Sequence, residues 1–406
     1  MNVLVLGASG YIGSNLVPHL LARGYGVRAA SRRREVLEGR GWIGAELVEA
    51  DALDPASLPQ ALNGIQVAYY LVHSMGSGAD FAEKDRHAAE NFRIAAEAAG
   101  VRRIIYLGGL QGHGANTRHL QSRKETGEVL RAGNIPVTEL RAGIIVGAGS
   151  AAFEVIRDLV NHLPVMTTPR WVRSKTQPIA LDNLLEYLSR LLDAPLTEGK
   201  IYDVAGPETL RYDQLITQFG AAVGKKRLII PLPVLTPRLS SYWLDLVTSV
   251  PASVARPLID GLKEDLLAND AAIRVVIPIP LATYREAIDA ALRHERELAL
   301  PARWTEGALA FRGYDPSVSY YSKGARTELH TDVPSAVVWA AVQSIGGKRG
   351  YYYANSLWRL RGLLDRIVGG VGMRRGRRHP TELRIGDAVD FWRVVAIEPG
   401  TRLTLV

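Results

Sequence analysis

The first half of the chain alternates short, continuously apolar runs with longer stretches of helical periodicity. Residues 2–6, NVLVL, form such a run and end at a glycine, as expected of a strand buried on both faces of a parallel sheet. The next stretch, YIGSNLVPHLLARG, has a helical period and closes at Gly24. Further strands are predicted at 27–31, 45–50, 66–72, 102–108 and 136–143, with helices clearest at 80–99 and 119–131. The pattern predicts an α/β fold with a doubly wound parallel sheet.

A glycine-rich turn, GASGYIG, separates the first predicted strand from the first helix. In a dinucleotide-binding (Rossmann) turn, the first glycine makes the tight turn, the second lets the backbone approach a pyrophosphate, and the third permits close helix packing. The alternative is an ordinary glycine-rich turn, which its place in a long alternating series disfavours. We therefore expect the cofactor at Gly7, Ser9, Gly10, Tyr11, Ile12 and Gly13.

Three arginines follow the second predicted strand, in AASRRR. A site that prefers NAD(H) would carry Asp or Glu there, to bind the ribose 2′-hydroxyl. A guanidinium instead pairs with a 2′-phosphate, which a carboxylate would repel. The sequence therefore predicts NADP(H) in preference to NAD(H), bound by Arg32 first and by Arg33 beside it. The alternative, a solvated charge run, remains open for the other arginines.

Length, composition and charge indicate more than one domain. The chain has 406 residues, 47% of them hydrophobic, and no cysteine, which excludes disulfides and thiolate chemistry. Residues 316–406 carry 14 Lys and Arg against 7 Asp and Glu, so most of the net charge of +8 lies there. Met1 leads directly into NVLVLG without a basic, apolar leader, and no apolar run reaches about 18 residues. A cytoplasmic protein is expected.

Several segments in order resemble one known family. They are GASGYIG, the arginine after VRAAS, EADALD (49–54), AYYLVHSM (68–75), LRAGIIVGAGS, QPIALDNLLEYL (177–188) and YDVAGPETLRYDQL (202–215). Together they make residues 1–300 similar to the extended and atypical short-chain dehydrogenase/reductases, especially the NmrA-like branch. The resemblance implies a Rossmann domain with a small substrate-side subdomain, mainly 151–180 and 205–300. It also implies cofactor contacts at Asp51, Ala52, Leu71, Val72, His73, Ala142 and Gly143, and pocket residues near Tyr242 and Trp243.

The family's catalytic residues are missing from the expected segment, YLGGLQGHGANTRHLQSRKETGEVLR. That family uses a serine, and a tyrosine whose pKa is lowered by a lysine four residues on. Here Gly108 and Gly109 stand at the serine position, His119 at the tyrosine position and Arg123 at the lysine position, with Lys124 one residue away. His119, His73 and Lys124 are candidates for proton transfer. The alternative is that His119 is a surface residue of the turn before the helix and His73 a polar group of the cofactor cleft. Gly108 and Arg123 are expected at the cofactor, where Arg123 would hold a phosphate or ribose.

The sequence predicts a linker at 301–315 and, after it, a second domain of the α+β class at residues 316–406. Strands are predicted in VSYYSKGARTEL, in RGYYYAN and on both sides of EPGT, with helices in PSAVVWAAVQSIGG and SLWRLRGLLDRIVGG. NSLWRLRGLLDRIVGGVGMRRGRR and GDAVDFWRV resemble a domain of unknown function, DUF2867, similar to the helix-grip fold of START and polyketide-cyclase proteins. Because the sequence stops on a strand, we expect this domain to be incomplete.

Seven arginines in this region lie near aromatic residues: Arg359, Arg361, Arg366, Arg374, Arg375, Arg377 and Arg378. Nucleic acid is disfavoured because no RNA- or DNA-binding pattern accompanies them. A solvated face, an anionic ligand or a membrane surface remains open, as does a homo-oligomer. The sequence gives no support for a metal site.

Two functions fit these observations. The first is an NADP(H)-dependent oxidoreductase on an unknown small molecule, with the proton supplied by His119, His73, water or the substrate. The second is a non-catalytic NADP(H)-binding redox sensor that acts through its C-terminal domain. The retained substrate-side segments favour the oxidoreductase.

Overall fold

The chain divides into two units, Met1–Trp304 and Thr305–Val406. The computed structural model describes residues 1–73, 80–112, 117–232, 265–297, 327–347, 349–367 and 377–405. Tyr242, Trp243 and the predicted linker lie outside these ranges. No helix within them is both long and apolar enough to cross a membrane.

The first unit is built on a sheet of seven parallel strands. Its strands are β1 (Asn2–Leu6), β2 (Gly26–Ser31), β3 (Glu46–Glu49), β4 (Val67–Tyr70), β5 (Arg103–Gly109), β6 (Val137–Ala142) and β11 (Ile201–Val204). They lie in the order β11-β6-β5-β4-β1-β2-β3. The predicted doubly wound parallel sheet is confirmed, with strand ends within two residues of those expected.

Apolar side chains on both faces of the sheet explain why the strands read as continuous hydrophobic runs. In β1, Val3 and Val5 belong to one core cluster, whereas Leu4 and Leu6 belong to another. This alternation follows from the two-residue period of a strand. Helices α1 (Tyr11–Ala22) and α7 (Leu181–Arg190) cover the first face. The second is covered by α3 (Leu58–Leu62), α4 (Phe81–Ala98) and α5 (Arg118–Arg131).

The order of the strands reverses at β1, which lies between β4 and β2. Connections leaving β1 and β4 therefore diverge, and a crevice opens at their carboxyl ends, where open α/β sheets bind ligands. The glycine-rich turn follows β1 directly, and α2 (Arg34–Glu38) follows the arginines after β2.

A third apolar cluster, which includes Phe153, Leu215, Phe219 and Ile288, organises most of the remaining elements of this unit. The remaining elements are β7 (Ile145–Val146), α6 (Ala151–His162), β8 (Val165–Pro169), β9 (Lys175–Thr176), β10 (Ile179–Ala180), β12 (Leu210–Arg211), α8 (Tyr212–Ala222), β13 (Leu228–Leu232), α9 (Ala271–Val276) and α10 (Tyr284–Arg296). Of these, α9 packs its Ile273 into the first cluster instead. They follow β6 in the chain, in the segments expected to form the substrate-side subdomain.

The second unit contains α11 (Ser335–Gln343), α12 (Asn355–Ile367) and an antiparallel sheet of β14 (Ala388–Val389), β15 (Trp392–Glu398) and β16 (Arg402–Leu405). The helices and the turn over EPGT agree with the prediction. The strand predicted in RGYYYAN is wrong, because that segment is a turn. Two residues of this turn have a left-handed backbone, with φ of 61° at Tyr352 and 53° at Ala354. Most of VSYYSKGARTEL lies outside the described residues.

Several arginines in this unit make contacts within the chain, among them Arg377, Arg378 and Arg361. Arg378 is buried and forms two hydrogen bonds with the Asp387 carboxylate, at 2.9 and 3.1 Å. The Arg361 guanidinium lies 4.2 Å from the centre of the Phe391 ring. These contacts favour an intramolecular role for this part of the basic segment. Arg374 and Arg375 lie outside the described residues.

Candidate functional site

The three glycines of the turn experience different surroundings. Gly7 has a φ of +90°, and a Cβ there would approach the Leu71 carbonyl oxygen to 2.9 Å. A Cβ on Gly13 would lie 2.4 Å from the Gly7 oxygen, so close packing of α1 requires that glycine. At Gly10, the N-cap of α1, the nearest contact would be 3.2 Å. The fold therefore tolerates a side chain best at Gly10, where a bound pyrophosphate would need the space.

Other residues of the turn secure it to its neighbours. The Tyr11 hydroxyl donates to the Ala148 carbonyl at 3.1 Å, and burial raises the pKa of Tyr11 above its ordinary value. Ile12 packs against the first core cluster. The Ser9 carbonyl accepts a 3.4 Å hydrogen bond from Arg40, which is buried beneath the turn. The sequence analysis missed Arg40, and no sequence pattern marks it.

The arginines after β2 are not equivalent. Arg32 is exposed and forms no hydrogen bond or ion pair with the part of the chain that the structure describes. Arg33 lies 3.7 Å from Glu35, and Arg34 pairs with Glu38 at 2.9 Å. Arg32 is thus the member of this run that is left available for an anionic ligand.

Asp51 and Ala52 follow β3 at the same edge of the sheet. Oδ1 of Asp51 accepts a 3.0 Å hydrogen bond from the Leu53 amide. Ala52 is buried, and its carbonyl accepts from the Asn91 side chain at 3.0 Å. The Asp51 carboxylate therefore stabilises its own turn through Oδ1.

Residues after β4 bring the glycine turn close to a buried polar cluster. Leu71 donates its amide to Leu6 at 3.0 Å and precedes Val72 and His73. His73 Nδ1 lies 2.9 Å from Asp85 Oδ2, and the same oxygen accepts a 3.1 Å hydrogen bond from Ser122. Asp85 belongs to α4 and Ser122 to α5, so this cluster joins three segments. Sequence reasoning found His73 but missed Asp85 and Ser122.

His119, in the first turn of α5, lies against His73. Their ring centres are 5.0 Å apart and their planes are inclined by 46°. His73 Nε2 and His119 Nδ1 are both buried, and neither has a hydrogen-bond partner among the residues that the structure describes. Burial is the largest cause that lowers the pKa of each ring, and for His119 the pKa falls to about 3. Both imidazoles are therefore neutral at pH 7.

The ends of β5 and β6 complete this side of the crevice. Arg123 donates to the Leu107 carbonyl at 2.9 Å, and its guanidinium lies 5.7 Å from the centre of the Tyr106 ring. Lys124 is 44% exposed and pairs with Glu128 at 3.9 Å, outside the histidine cluster. Gly108 lies beside the Glu139 carboxylate, where a Cβ would come within 2.8 Å of Oε1.

Ala142 ends β6 and Gly143 follows it. The Ala142 carbonyl accepts from the Leu110 amide at 3.1 Å, and Gly143 lies against the Leu110 side chain. Gly7, Leu71, Gly108 and Ala142 all lie at or beyond the carboxyl ends of their parallel strands. The fold thus gathers the predicted cofactor residues along one edge of the sheet.

The geometry suits a dinucleotide better than a metal ion. At the switch point, the start of α1 offers free backbone amides and a positive dipole to an anion, and Gly10 leaves room for the backbone to approach it. Within the described residues, no group of three or more His, Cys, Asp or Glu side chains is arranged to hold a metal ion.

Comparisons with known proteins agree with this geometry. Residues 7–150 match the family model described as NAD(P)H-binding, and residues 319–405 match the one described as a protein of unknown function, DUF2867. A curated relative, sterol demethylase protein B of Methylococcus capsulatus, is 31% identical over 134 residues, which are 29% of this chain and 39% of that protein. The chain thus spans well under two thirds of this relative.

Solved structures share the fold over a longer stretch. Triphenylmethane reductase of Citrobacter sp. has a TM-score of 0.61 at 20% identity, covering 72% of this chain and 100% of that one. The quinone oxidoreductase QOR2 of Escherichia coli, complexed with NADPH, has a TM-score of 0.59 at 21% identity, covering 71% and 98%. The first unit therefore shares the fold of these two reductases, and the chain carries a segment that matches the NAD(P)H-binding family model followed by one that matches the DUF2867 model.

Proposed function

We propose that this protein is an NADPH-dependent oxidoreductase that transfers hydride to a small organic acceptor. The observation that carries this proposal is the exposed, unengaged Arg32 at the carboxyl end of β2, one strand away from the glycine turn. A guanidinium at that position pairs with a 2′-phosphate, which NADP(H) has and NAD(H) lacks.

Each part of the cofactor has candidate residues. The start of α1, with Gly7, Gly10 and Gly13, would hold the pyrophosphate, while Arg32 and Arg33 would hold the 2′-phosphate. Asp51 and Ala52 would border the adenine. The remaining candidates, Leu71, Val72, His73, Gly108, Arg123, Ala142 and Gly143, would line the nicotinamide side. When bound there, NADPH supplies the hydride.

Two neighbours in fold suggest the class of acceptor to test. The Citrobacter reductase acts on triphenylmethane dyes and has been solved with NADP(H), and the E. coli enzyme is an NADPH-dependent quinone oxidoreductase. Both kinds of acceptor are conjugated and electron-poor. We therefore infer that this chain reduces conjugated acceptors of this class.

The test is loss of NADPH absorbance when the purified protein meets a benzoquinone, a triphenylmethane dye or fractions of a deproteinised cell extract. We expect acceptor-dependent oxidation of NADPH, and a much lower rate at limiting NADPH in Arg32→Ala. Arg34→Ala is the matched control, because Arg34 is paired with Glu38. Tight NADPH binding without oxidation by any acceptor would contradict the proposal and favour a redox sensor.

A further inference from the structure

The buried cluster beside the glycine turn contains a carboxylate and two imidazoles in series. Asp85 is 3% exposed, and its Oδ2 accepts from Ser122 as well as facing His73 Nδ1. A carboxylate at this position requires the proton of neutral His73 to be on Nδ1. His73 Nε2 is then an unprotonated acceptor, buried and without a partner in the described part of the chain.

His119 has the complementary nitrogen. Its Nδ1 is also buried and has no partner within the described ranges, and its ring centre lies 5.0 Å from that of His73. Leaving two buried polar atoms unpaired is costly, which favours a hydrogen bond between these two neighbouring rings. With its proton on Nδ1, toward His73, His119 keeps Nε2 as the free acceptor. We call Asp85, His73 and His119 the histidine relay.

The relay lies where a reacting group would need it. His73 is two residues beyond Leu71, whose carbonyl oxygen would contact a Cβ on Gly7. His119 is in the first turn of α5, which follows the carboxyl end of β5. Both therefore lie at the carboxyl ends of the parallel strands, on the side of the glycine turn away from Arg32.

We propose that the histidine relay supplies the proton that accompanies hydride transfer, with Ser122 as a positioning residue for Asp85. This inference rests on the proposed function and assigns its proton source. The acid form carries one additional proton, so that His73 holds protons on both nitrogens and His119 on Nε2.

The proton then moves in two steps. His119 Nε2 gives its proton to the carbonyl oxygen of the acceptor as the hydride from NADPH bonds to the conjugated acceptor. The π electrons form the new O–H bond, and His119 Nδ1 takes the Nε2 proton of His73. The products are NADP⁺ and the reduced acceptor, with the relay left neutral. Solvent restores one proton through His119 Nε2.

The surroundings set the direction of the pH dependence. Burial, the largest cause, lowers the pKa of both imidazoles, and the charge of Arg123 on α5 lowers it further. The Asp85 carboxylate on α4 raises it. Tyr70 of β4 and Tyr106 of β5 stay neutral because burial raises the pKa of both. The net effect lowers the pKa of both histidines, so the acid form grows as pH falls below neutrality. Reduction that consumes a proton should therefore accelerate toward acidic pH.

Two acceptors separate proton supply from hydride transfer. A triphenylmethane dye cation takes up hydride alone, whereas a quinone takes up hydride and a proton. We expect His119→Gln to lower the ratio of quinone rate to dye rate on the order of 10²-fold, the usual size of general acid catalysis. The acidic rise of this ratio should disappear in the variant. His87→Gln, which changes an exposed histidine on α4, is the control. An unchanged ratio in His119→Gln would overturn the proposal.

A second measurement does not depend on turnover. Nitrogen NMR of the NADPH-bound, histidine-labelled protein should show His73 and His119 both protonated on Nδ1 at neutral pH. Asp85→Asn should remove this preference at His73. Protonation of His73 on Nε2 in the unmodified protein would refute the relay. If neither acceptor is reduced, the proposed function fails, and the NMR result alone decides whether the relay exists.

Discussion

At the scale of single residues, Gly10 and Gly13 serve different purposes within one turn. A Cβ on Gly13 would lie 2.4 Å from the Gly7 oxygen, whereas one on Gly10 would meet it at 3.2 Å. We expect Gly13→Ala to lower the free energy of unfolding by about 1–3 kcal/mol, the cost of overpacking.

Gly10→Val should instead leave the protein folded and abolish NADPH binding, because the valine side chain fills the space for the pyrophosphate. Denaturant unfolding and NADPH fluorescence titration measure the two effects. Retained affinity in Gly10→Val would show that the turn is only structural.

Arg32 decides the choice between the two nicotinamide cofactors. Loss of a charge-assisted hydrogen bond should weaken NADPH binding by about 1–3 kcal/mol in Arg32→Ala and leave NADH binding nearly unchanged. Arg34→Ala should change neither affinity, because its side chain already pairs with Glu38. Calorimetric titration with both cofactors provides the measurement. An equal loss for NADPH and NADH would mean that Arg32 supports the turn rather than a 2′-phosphate.

At the scale of elements, the sequence predicted what depends on local pattern. Continuous apolar runs located the strands of the parallel sheet, because both faces of each strand are buried. The prediction failed at RGYYYAN, where aromatic content suggests a strand but Gly350 and two left-handed residues make a turn. Asp85 and Ser122 were missed because they lie 37 residues apart, and only the packing of α4 against α5 brings them together.

A buried arginine at the start of β5 was equally hidden in the sequence. Arg103 is 2% exposed and donates to Thr138, Thr197 and the Leu191 carbonyl, whereas Arg102 beside it is exposed. We expect Arg103→Met to lower the free energy of unfolding by about 2–4 kcal/mol, because these buried acceptors lose a charged donor. Arg102→Met should cost no more than about 0.5 kcal/mol. Urea denaturation of both variants makes the comparison, and equal stabilities would show that the Arg103 contacts contribute nothing net.

At the scale of the whole molecule, composition and charge predicted a chain of two parts. The basic residues concentrate after residue 315, and the structure divides near there, at Trp304 and Thr305. The boundaries 1–300, 301–315 and 316–406 remain predictions, because the linker lies outside the described residues. What the second unit binds was not readable, since its arginines include both exposed and buried side chains.

The position of the cofactor residues predicts how the two units depend on each other. The candidate cofactor residues precede residue 150, and the three core clusters of the first unit are built from residues up to Leu292. Deleting residues 316–406 should therefore leave NADPH affinity and the cooperative unfolding of the remainder nearly unchanged. Isothermal titration and thermal denaturation of the shortened chain, beside the full chain, test this. A shortened chain that unfolds would show that the first unit is not stable by itself. One that folds but binds NADPH much more weakly would show that cofactor affinity depends on residues 316–406.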